Sequence, residues 1–156
     1  MIDFIDARNE VQLQFVADFK IKLMDEINTI ALKLGFIDKS LQNYDTGQAL
    51  KNIETRDNFL ISYKGDYIGY FQVSIRESLC EQKQVVYLHG IYIEKIFRNL
   101  GIGQNSIDFI STLYKKPIEC DCWYGMGSLH FFDRLGFRKI RMTFYSDQNC
   151  MSENKK

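Results

Sequence analysis

A short segment between a predicted strand and a predicted helix carries the residue types of an anion site. It runs Arg98-Asn99-Leu100-Gly101-Ile102-Gly103. Backbone amides at the start of a helix have no acceptor within the helix, and together they carry about half a positive charge. The glycines allow left-handed backbone angles and let a ligand approach without a Cβ atom in the way. Arg98 adds a fixed cation, so the segment is suited to binding phosphates.

Two other phosphate-binding patterns do not fit this segment. A Rossmann fingerprint needs a third glycine, where this chain has Ser106. A Walker loop needs Lys and then Ser or Thr after its second glycine, but Gln104 and Asn105 follow Gly103. The simplest alternative is that the glycines only form a tight turn between strand and helix. Spacing alone leaves both interpretations open.

Hydrophobic periodicity predicts a long helix near the N-terminus. Apolar residues recur at spacings of three and four, which is typical of one face of an amphipathic helix. Either Asp6 or Asn9 could cap its start, and Gly35 stands where a helix commonly ends. The stripe consists of Val16, Phe19, Leu23, Ile27, Ile30 and Leu34. The first residues are a candidate strand, and a shorter helix is predicted within residues 41–53.

The central part of the chain is rich in aromatic and β-branched residues, which favour strands. Residues 58–63 and 67–75 flank Lys64-Gly65-Asp66 and predict a β-hairpin, and residues 84–93 predict a third strand. A helix over residues 101–114, a strand over 118–123, a short helix over 126–135 and a last strand over 137–145 follow. An antiparallel meander therefore leads into one βαβ crossover. The predicted class is α+β with a mixed, mostly antiparallel sheet flanked by helices.

Two of these segments resemble the signatures of a known family. The run from Arg98 to Gly103 is similar to the Arg/Gln-x-x-Gly-x-Gly/Ala segment of the GNAT N-acetyltransferases. The run Phe131-Phe132-Asp133-Arg134-Leu135-Gly136-Phe137 is similar to that family's Phe-Tyr-x-x-Leu-Gly-Phe signature. They occur in the family's order, with a predicted strand between them. The resemblance covers about residues 58–137, and it implies a single GNAT-like domain over residues 1–146, followed by a polar tail over 147–156.

The resemblance implies acetyl-CoA as the donor and a specific cofactor site. In this family the amides of the first signature hold the pyrophosphate. The strand before it parts from the next parallel strand and pairs with the pantetheine arm, and an amide there polarises the thioester carbonyl. The cofactor-binding residues implied in this chain are Ile91, Tyr92, Ile93, Arg98, Asn99, Leu100, Gly101, Ile102 and Gly103. No metal is expected.

The reaction that the resemblance implies is attack of a primary amine on a thioester, which requires a proton acceptor. A lysine-like amine has a pKa near 10.4, so freeing its lone pair at pH 7 costs about 4.6 kcal/mol. His89 is the candidate base, because some family members carry a histidine at the matching place. By period two it should share a strand face with Tyr87 and Ile91. The alternative is a histidine held by hydrogen bonds between sheet and helix.

The second signature departs from the family at the residue that protonates the departing thiolate. The family's tyrosine is Phe132 here, and phenylalanine has no proton to give. An alkyl thiol has a pKa near 8.5, so releasing thiolate at pH 7 costs only about 2 kcal/mol. Tyr124 and Ser128 are candidate substitutes, and packing at a strand end is the alternative role for Tyr124. Gly125 replaces an asparagine that is frequent in the family near the start of this helix.

These residues predict an acetyl-CoA-dependent N-acetyltransferase. Its acceptor would be a small-molecule amine, a peptide N-terminus or a lysine. The alternative is a CoA-binding protein of the same fold without turnover that acts as a sensor or partner domain, because Phe132 and Gly125 depart from the signatures. An α+β interaction domain without a cofactor is a third interpretation.

Composition argues against several classes of partner. The chain has 20 basic and 20 acidic residues in 156, so its net charge offers no bulk attraction to nucleic acid or acidic membranes. No apolar run approaches the roughly 18 residues that span a bilayer, and the acidic N-terminus does not match a signal peptide. A cytoplasmic protein with free thiols is therefore expected. The four cysteines are Cys80, Cys120, Cys122 and Cys150. The edge of the last strand leaves room for a homodimer.

Overall fold

A five-stranded sheet organises the chain, whose computed structural model describes residues 1–35, 44–51, 53–122 and 126–139. Within these ranges, four helices and one 3₁₀ turn (Lys95–Phe97) accompany the sheet. In chain order the elements are β1 (Ile2–Asp6), α1 (Glu10–Lys33), α2 (Thr46–Leu50), β2 (Asp57–Tyr63), β3 (Asp66–Glu77), β4 (Gln84–Ile93), α3 (Ile102–Tyr114), β5 (Ile118–Cys120) and α4 (Gly127–Arg134).

The sheet follows the chain in the order β1-β2-β3-β4-β5. The first three pairs of neighbouring strands are antiparallel, and β4 and β5 are parallel. Parallel neighbours need a long connection, and α3 provides it. The predicted α+β class, with a mixed, mostly antiparallel sheet and a single βαβ crossover, is confirmed.

Helix α1 forms where the apolar stripe predicts it. Asn9 is the cap: its side chain accepts from the Gln12 amide, and the Gln12 side chain accepts from the Asn9 amide in a capping box. Gly35 adopts a left-handed φ of 78°, as expected just beyond the helix end. The stripe is buried from Val16 through Ile27, whereas Leu34 is exposed because the helix ends one residue earlier.

The β2–β3 hairpin turns on two residues. Lys64 and Gly65 have φ values of 54° and 94°, the signs that a type I′ turn requires. Such turns match the twist of the flanking strands, so the predicted hairpin forms. Its register shifts by one residue between Ile61 and Ser62, where Ile68 of β3 is the extra residue.

The two faces of the sheet carry separate apolar clusters. One cluster packs α3 and α4 against the sheet and includes Phe71, Leu88, Ile102, Ile110 and Phe132. The other packs α1 against the opposite face and includes Phe19, Leu23, Leu60, Tyr70 and Tyr92. The sheet is therefore a common wall between an α3 side and an α1 side.

The predicted and observed boundaries differ most at β5. We expected this strand over residues 118–123. Among the described residues it pairs with β4 over Ile118–Cys120, and Trp123 lies outside them. The second predicted helix contracts to Thr46–Leu50 in the described residues. Residues 137–139 form no strand, and the rest of the predicted last strand, with the predicted tail, lies outside the described residues. No helix in the described ranges has the length and apolar character needed to cross a bilayer.

Candidate active site

Strand β4 loses its neighbour halfway along its length. Residues 86–88 pair with 118–120 of β5, but β4 continues to Ile93. On its other edge, β4 stays paired with β3 up to Ile93. Within the described part of the chain, no strand pairs with the β5-facing edge of residues 89–93, and the Ile93 carbonyl accepts from the Arg98 side chain. This edge offers backbone N–H and C=O groups to an extended ligand.

A β-bulge marks the point of separation. Val73 of β3 lies opposite Leu88, and the next residue, Gln72, lies opposite Gly90, so His89 is the extra residue. A bulge bends its strand and increases the local twist. The bulge thus coincides with the place where β4 and β5 part.

The free edge ends at an uncapped helix start. Gly101 precedes α3 with a left-handed φ of 78°, and a Cβ there would meet no atom within 4 Å. In the described residues no side chain caps this end of α3. Asn105 donates the first intrahelical bond, to the Gly101 carbonyl, so the amides of residues 102–104 have no acceptor in the helix. The expected left-handed glycine is therefore found at Gly101, and Asn99 adds a second such angle with a φ of 63°.

Gly103 has a different role from Gly101. A Cβ on Gly103 would lie 3.0 Å from two ring atoms of Phe131 and 3.7 Å from Ile93 Cδ1. Its hydrogen therefore lets α4 approach the start of α3 closely. The two segments that resemble family signatures touch at this point.

Arg98 links the end of β4 to helix α1. Its Nε donates to the Ile93 carbonyl at 2.7 Å, and its Nη2 donates to Glu26 Oε1 at 2.8 Å. The guanidinium also lies 5.3 Å from the centre of the Tyr92 ring. Arg98 is a fixed cation, as expected, but Glu26 balances its charge. Through these contacts Arg98 holds the loop between β4 and α3 in position, and the backbone amides of the loop can then face a ligand.

His89 lies on the α1 side of the sheet in a polar setting. Its Nε2 is 2.8 Å from the hydroxyl of Ser74, and its ring meets the Tyr87 ring edge-on at 4.8 Å. The expectation that Ile91 shares this face is wrong. Ile91 packs against the α3-side cluster, because the extra residue at the bulge shifts the alternation of the strand.

Burial lowers the pKa of His89 to about 4, and three cations add to the effect: Arg56, Arg76 and Lys20. The imidazole is therefore neutral at pH 7 and accepts a proton less readily than a free histidine. Tyr87 beside it donates to Asp121 Oδ2 at 2.6 Å, and burial together with this bond raises the pKa of Tyr87 to about 12. Both side chains hold neutral forms at pH 7.

Phe132 stands at the position of the family's tyrosine, and Tyr124 and Ser128 are the two candidate substitutes. Phe132 is 6% exposed within the α3-side cluster, which accounts for its apolar character. Tyr124 lies outside the described residues. Ser128 lies near Cys122, just after β5, and contributes to lowering the pKa of the Cys122 thiol. Cys122 and Cys120 are free thiols in hydrogen-bond contact, which lowers the pKa of Cys122 and raises that of Cys120.

Sequence reasoning did not identify Ser74, Arg56 or Arg76 as neighbours of His89. A signal existed in β3, where Gln72, Ser74 and Arg76 alternate with apolar residues and so predict a polar strip on one face. No comparable pattern points to Arg56, which precedes β2. In the described residues, no group of three His, Cys, Asp or Glu side chains is arranged to hold a metal ion.

His89 makes the stability of the fold depend on pH. Because its pKa is lower in the folded than in the unfolded chain, the unfolded chain gains a proton first as the pH falls below about 6.5. Stability should therefore drop between about pH 6.5 and pH 4, by about 1 to 2 kcal/mol after a discount for solvent screening. His89→Asn should remove this component. Urea unfolding of both proteins at several pH values measures the difference.

The matched control for this experiment is His130→Asn, which changes an exposed histidine on α4. It should follow the wild-type curve. Parallel curves for His89→Asn and wild type would contradict the assigned environment of His89.

Comparison with protein families gives one match. The profile described as the acetyltransferase (GNAT) family matches residues 22–137, about three quarters of the chain. The match includes β2–β5, α3 and α4, and hence the free edge of β4 and the uncapped helix start. No curated protein sequence matches the chain.

Solved structures share the fold at low sequence identity. A protein from Clostridium difficile 630 described as a possible acetyltransferase has a TM-score of 0.68 at 13% identity, covering 95% of this chain and 97% of that one. A mutant of the BH1408 protein from Bacillus halodurans has a TM-score of 0.69 at 16% identity, covering 94% and 98%. Aminoglycoside N-acetyltransferase AAC(6')-Iy in complex with CoA has a TM-score of 0.69 at 18% identity, covering 95% of each chain.

Proposed function

Because the chain belongs to the acetyltransferase (GNAT) family, we propose that it is an N-acetyltransferase that uses acetyl-CoA to acetylate a primary amine. The acceptor would be a small molecule, a peptide N-terminus or a lysine. One observation carries the proposal: in the described residues, an unpaired edge of β4 is followed, after a loop with one 3₁₀ turn, by a start of α3 that no side chain caps. An extended cofactor with a diphosphate in its middle needs this combination.

The residues at this place fit the cofactor. The first-turn amides of α3 would bind the diphosphate, since no side chain of the described residues competes for them and Gly101 leaves the approach open. The backbone of Ile91, Tyr92 and Ile93 would pair with the pantetheine amides. Arg98, Asn99 and Leu100 would shape the loop between them. The CoA complex of AAC(6')-Iy, a neighbour of the same fold, supports this use of the site.

The cofactor supplies an acetyl thioester, and the residues of the chain would orient the amine beside it. In the balanced reaction the amine nitrogen bonds to the carbonyl carbon and the C–S bond breaks. The amine gives up one proton, and the departing thiolate takes one. An amide of residues 91–93 would donate to the carbonyl oxygen as negative charge develops there.

The setting of His89 favours the free amine. The cations that add to the burial effect on the pKa of His89 would also lower the pKa of a substrate ammonium group bound beside it. Each unit by which the ammonium pKa falls lowers the free-energy cost of deprotonating the amine by about 1.4 kcal/mol. Neutral His89, together with the Ser74 hydroxyl, would then receive the proton as the C–N bond forms. Tyr124 or Ser128 would protonate the thiolate, and Ser128 lies close enough to the Cys122 thiol to help lower its pKa.

The cofactor site can be tested by removing one amide. Gln104 occupies the third position of α3, where the N–H has no acceptor in the helix, so Gln104→Pro removes a donor and no helix bond. We expect CoA to bind about 10-fold more weakly, as for the loss of one charge-assisted hydrogen bond. Calorimetric titration measures the change.

Gln104→Ala is the matched control, because it removes the same side chain and keeps the amide. It should bind CoA like the wild type. If both variants bind equally well, the start of α3 does not hold the diphosphate.

Turnover is tested by mixing the protein with acetyl-CoA and a panel of primary amines. We expect release of free thiol that requires both acetyl-CoA and an amine, with a matching acetylated product in mass spectrometry. CoA binding without amine-dependent thiol release would contradict the proposed enzymatic activity and favour a CoA-binding domain without turnover.

His89→Gln should lower kcat and leave CoA affinity unchanged, whereas an unchanged kcat would exclude His89 from the proton path.

A further inference from the structure

The α1 side of the sheet changes character next to the bulge. Under α1 this face is apolar, with Leu60, Tyr70 and Tyr92. Further along the same face, β3 presents Gln72, Ser74 and Arg76 at alternate positions, and β4 presents Tyr87 and His89. An acceptor that reaches the bulge from this side would lie against these polar groups. We call this surface, together with Arg56, the polar strip.

Arg56 is held in the polar strip by an amide and not by an acid. Its Nη1 donates to Gln72 Oε1 at 3.0 Å. Gln72, which is buried, in turn donates to Asn58 Oδ1 at 2.6 Å. Among the described residues, no carboxylate pairs with Arg56. The guanidinium is therefore fixed in position with its charge uncompensated by this part of the chain.

Arg76 is the second cation of the polar strip. Its guanidinium carbon lies 3.4 Å from the centre of the Tyr87 ring, a stacked arrangement. Its Nη2 meets Glu119 Oε2 only at 3.5 Å, and Glu119 also accepts from the Ser78 hydroxyl. Its Nε is buried and has no hydrogen-bond partner in the described residues. The side chain is 32% exposed, so its terminal nitrogens, which the long contact to Glu119 engages only in part, can donate to a ligand.

A third positive charge lies nearby on α1. Lys20 is 6% exposed and donates from Nζ to the Ala49 carbonyl. Burial lowers the pKa of Lys20 to about 8, and Arg56 contributes to the shift. Glu119 pairs with Arg76, and Asp121 accepts from Tyr87 and keeps its charge, but the charges that act on His89 are those of the three cations. The electrostatic potential around His89 is consequently positive.

We propose that the acceptor is a small primary amine that also carries an anionic group, a carboxylate or a phosphate, which Arg56 and Arg76 bind while the amine lies beside His89. This rests on the proposed function and narrows its substrate. Guanidinium groups match the geometry of carboxylates and phosphates and bind them with two parallel hydrogen bonds. Polycationic acceptors, such as aminoglycosides, would be repelled by the same charges.

The test compares acceptors that differ only in the anion. One pair is β-alanine and its amide, and the other is phosphoethanolamine and ethanolamine, with kanamycin as a polycation. We expect kcat/KM to be at least 10-fold higher for the anionic member of one pair, chiefly through KM, and kanamycin to be the poorest acceptor. The pair that shows the preference identifies a carboxylate or a phosphate. Equal use of both members in both pairs would overturn the proposal.

The residue assignment is tested with three variants. Arg56→Gln should abolish the preference for the anion, Arg56→Lys should keep part of it, and Arg8→Gln, the same change at an exposed arginine, should leave it intact. CoA affinity of Arg56→Gln should stay at the wild-type value, which shows that the fold and the cofactor site are unaffected. A preference that survives in Arg56→Gln would contradict the assignment.

A binding measurement separates this proposal from the proposed function. If no amine is acetylated, ligand-observed NMR with CoA present still reports whether β-alanine or phosphoethanolamine binds to the wild type and not to Arg56→Gln. Binding without turnover would sustain the anion site and reject the enzyme. No binding by either anionic amine would reject the anion site, whatever the outcome for turnover.

Discussion

One extra residue in β4 is the constraint on which the candidate site depends. Two parallel strands form their evenly spaced hydrogen bonds only where they run side by side in the same direction. The bulge at His89 bends β4, and the pairing with β5 stops at Leu88. Two consequences follow: the edge of residues 89–93 stays unpaired in the described structure, and the side chains beyond the bulge exchange faces. The opening and its lining therefore have a single cause.

The rest of the site is held in place by contacts between distant segments. Arg98 ties the end of β4 to Glu26 of α1, and Gly103 lets Phe131 of α4 pack against the start of α3. A half-exposed ion pair contributes only about 0 to 1 kcal/mol, so the value of Arg98 lies mainly in the position it imposes. The apolar clusters on both faces supply most of the stability that keeps these parts together.

Much of the fold could be predicted from the sequence, because apolar residues recur with a period of two in strands and of about 3.6 in helices. The boundaries of β2, β4, α3 and α4 lie within about two residues of those predicted, and Gly35, Gly101 and Asn9 act as their residue types suggest. The candidate phosphate-binding turn was predicted from a local feature, the glycines between a strand and a helix, and the structure shows an uncapped helix start there in the described residues. The antiparallel meander and the βαβ crossover followed from the sequence of predicted strands and helices, whereas the pairing of β1 with β2 came from the structure.

The remainder depended on information that is not local. A period of two assumes an unbroken strand, so the bulge placed Ile91 on the wrong face. The shortening of β5 reflects the course of β4 and leaves no trace in its own residues. The charges of Arg56, which precedes β2, and of Lys20 on α1 act on His89, and only the packed structure brings these segments near it. The role of Tyr124 stays a prediction.

The central claim is that backbone amides at the start of α3 hold a diphosphate. Amide chemical shifts in a ¹⁵N-labelled sample, titrated with CoA and separately with pantetheine, test it directly, because pantetheine lacks the diphosphate. The account predicts that the amides of residues 102–104 shift with CoA alone, whereas those of residues 91–93 shift with both ligands. Unchanged amides at residues 102–104 with saturating CoA would contradict it.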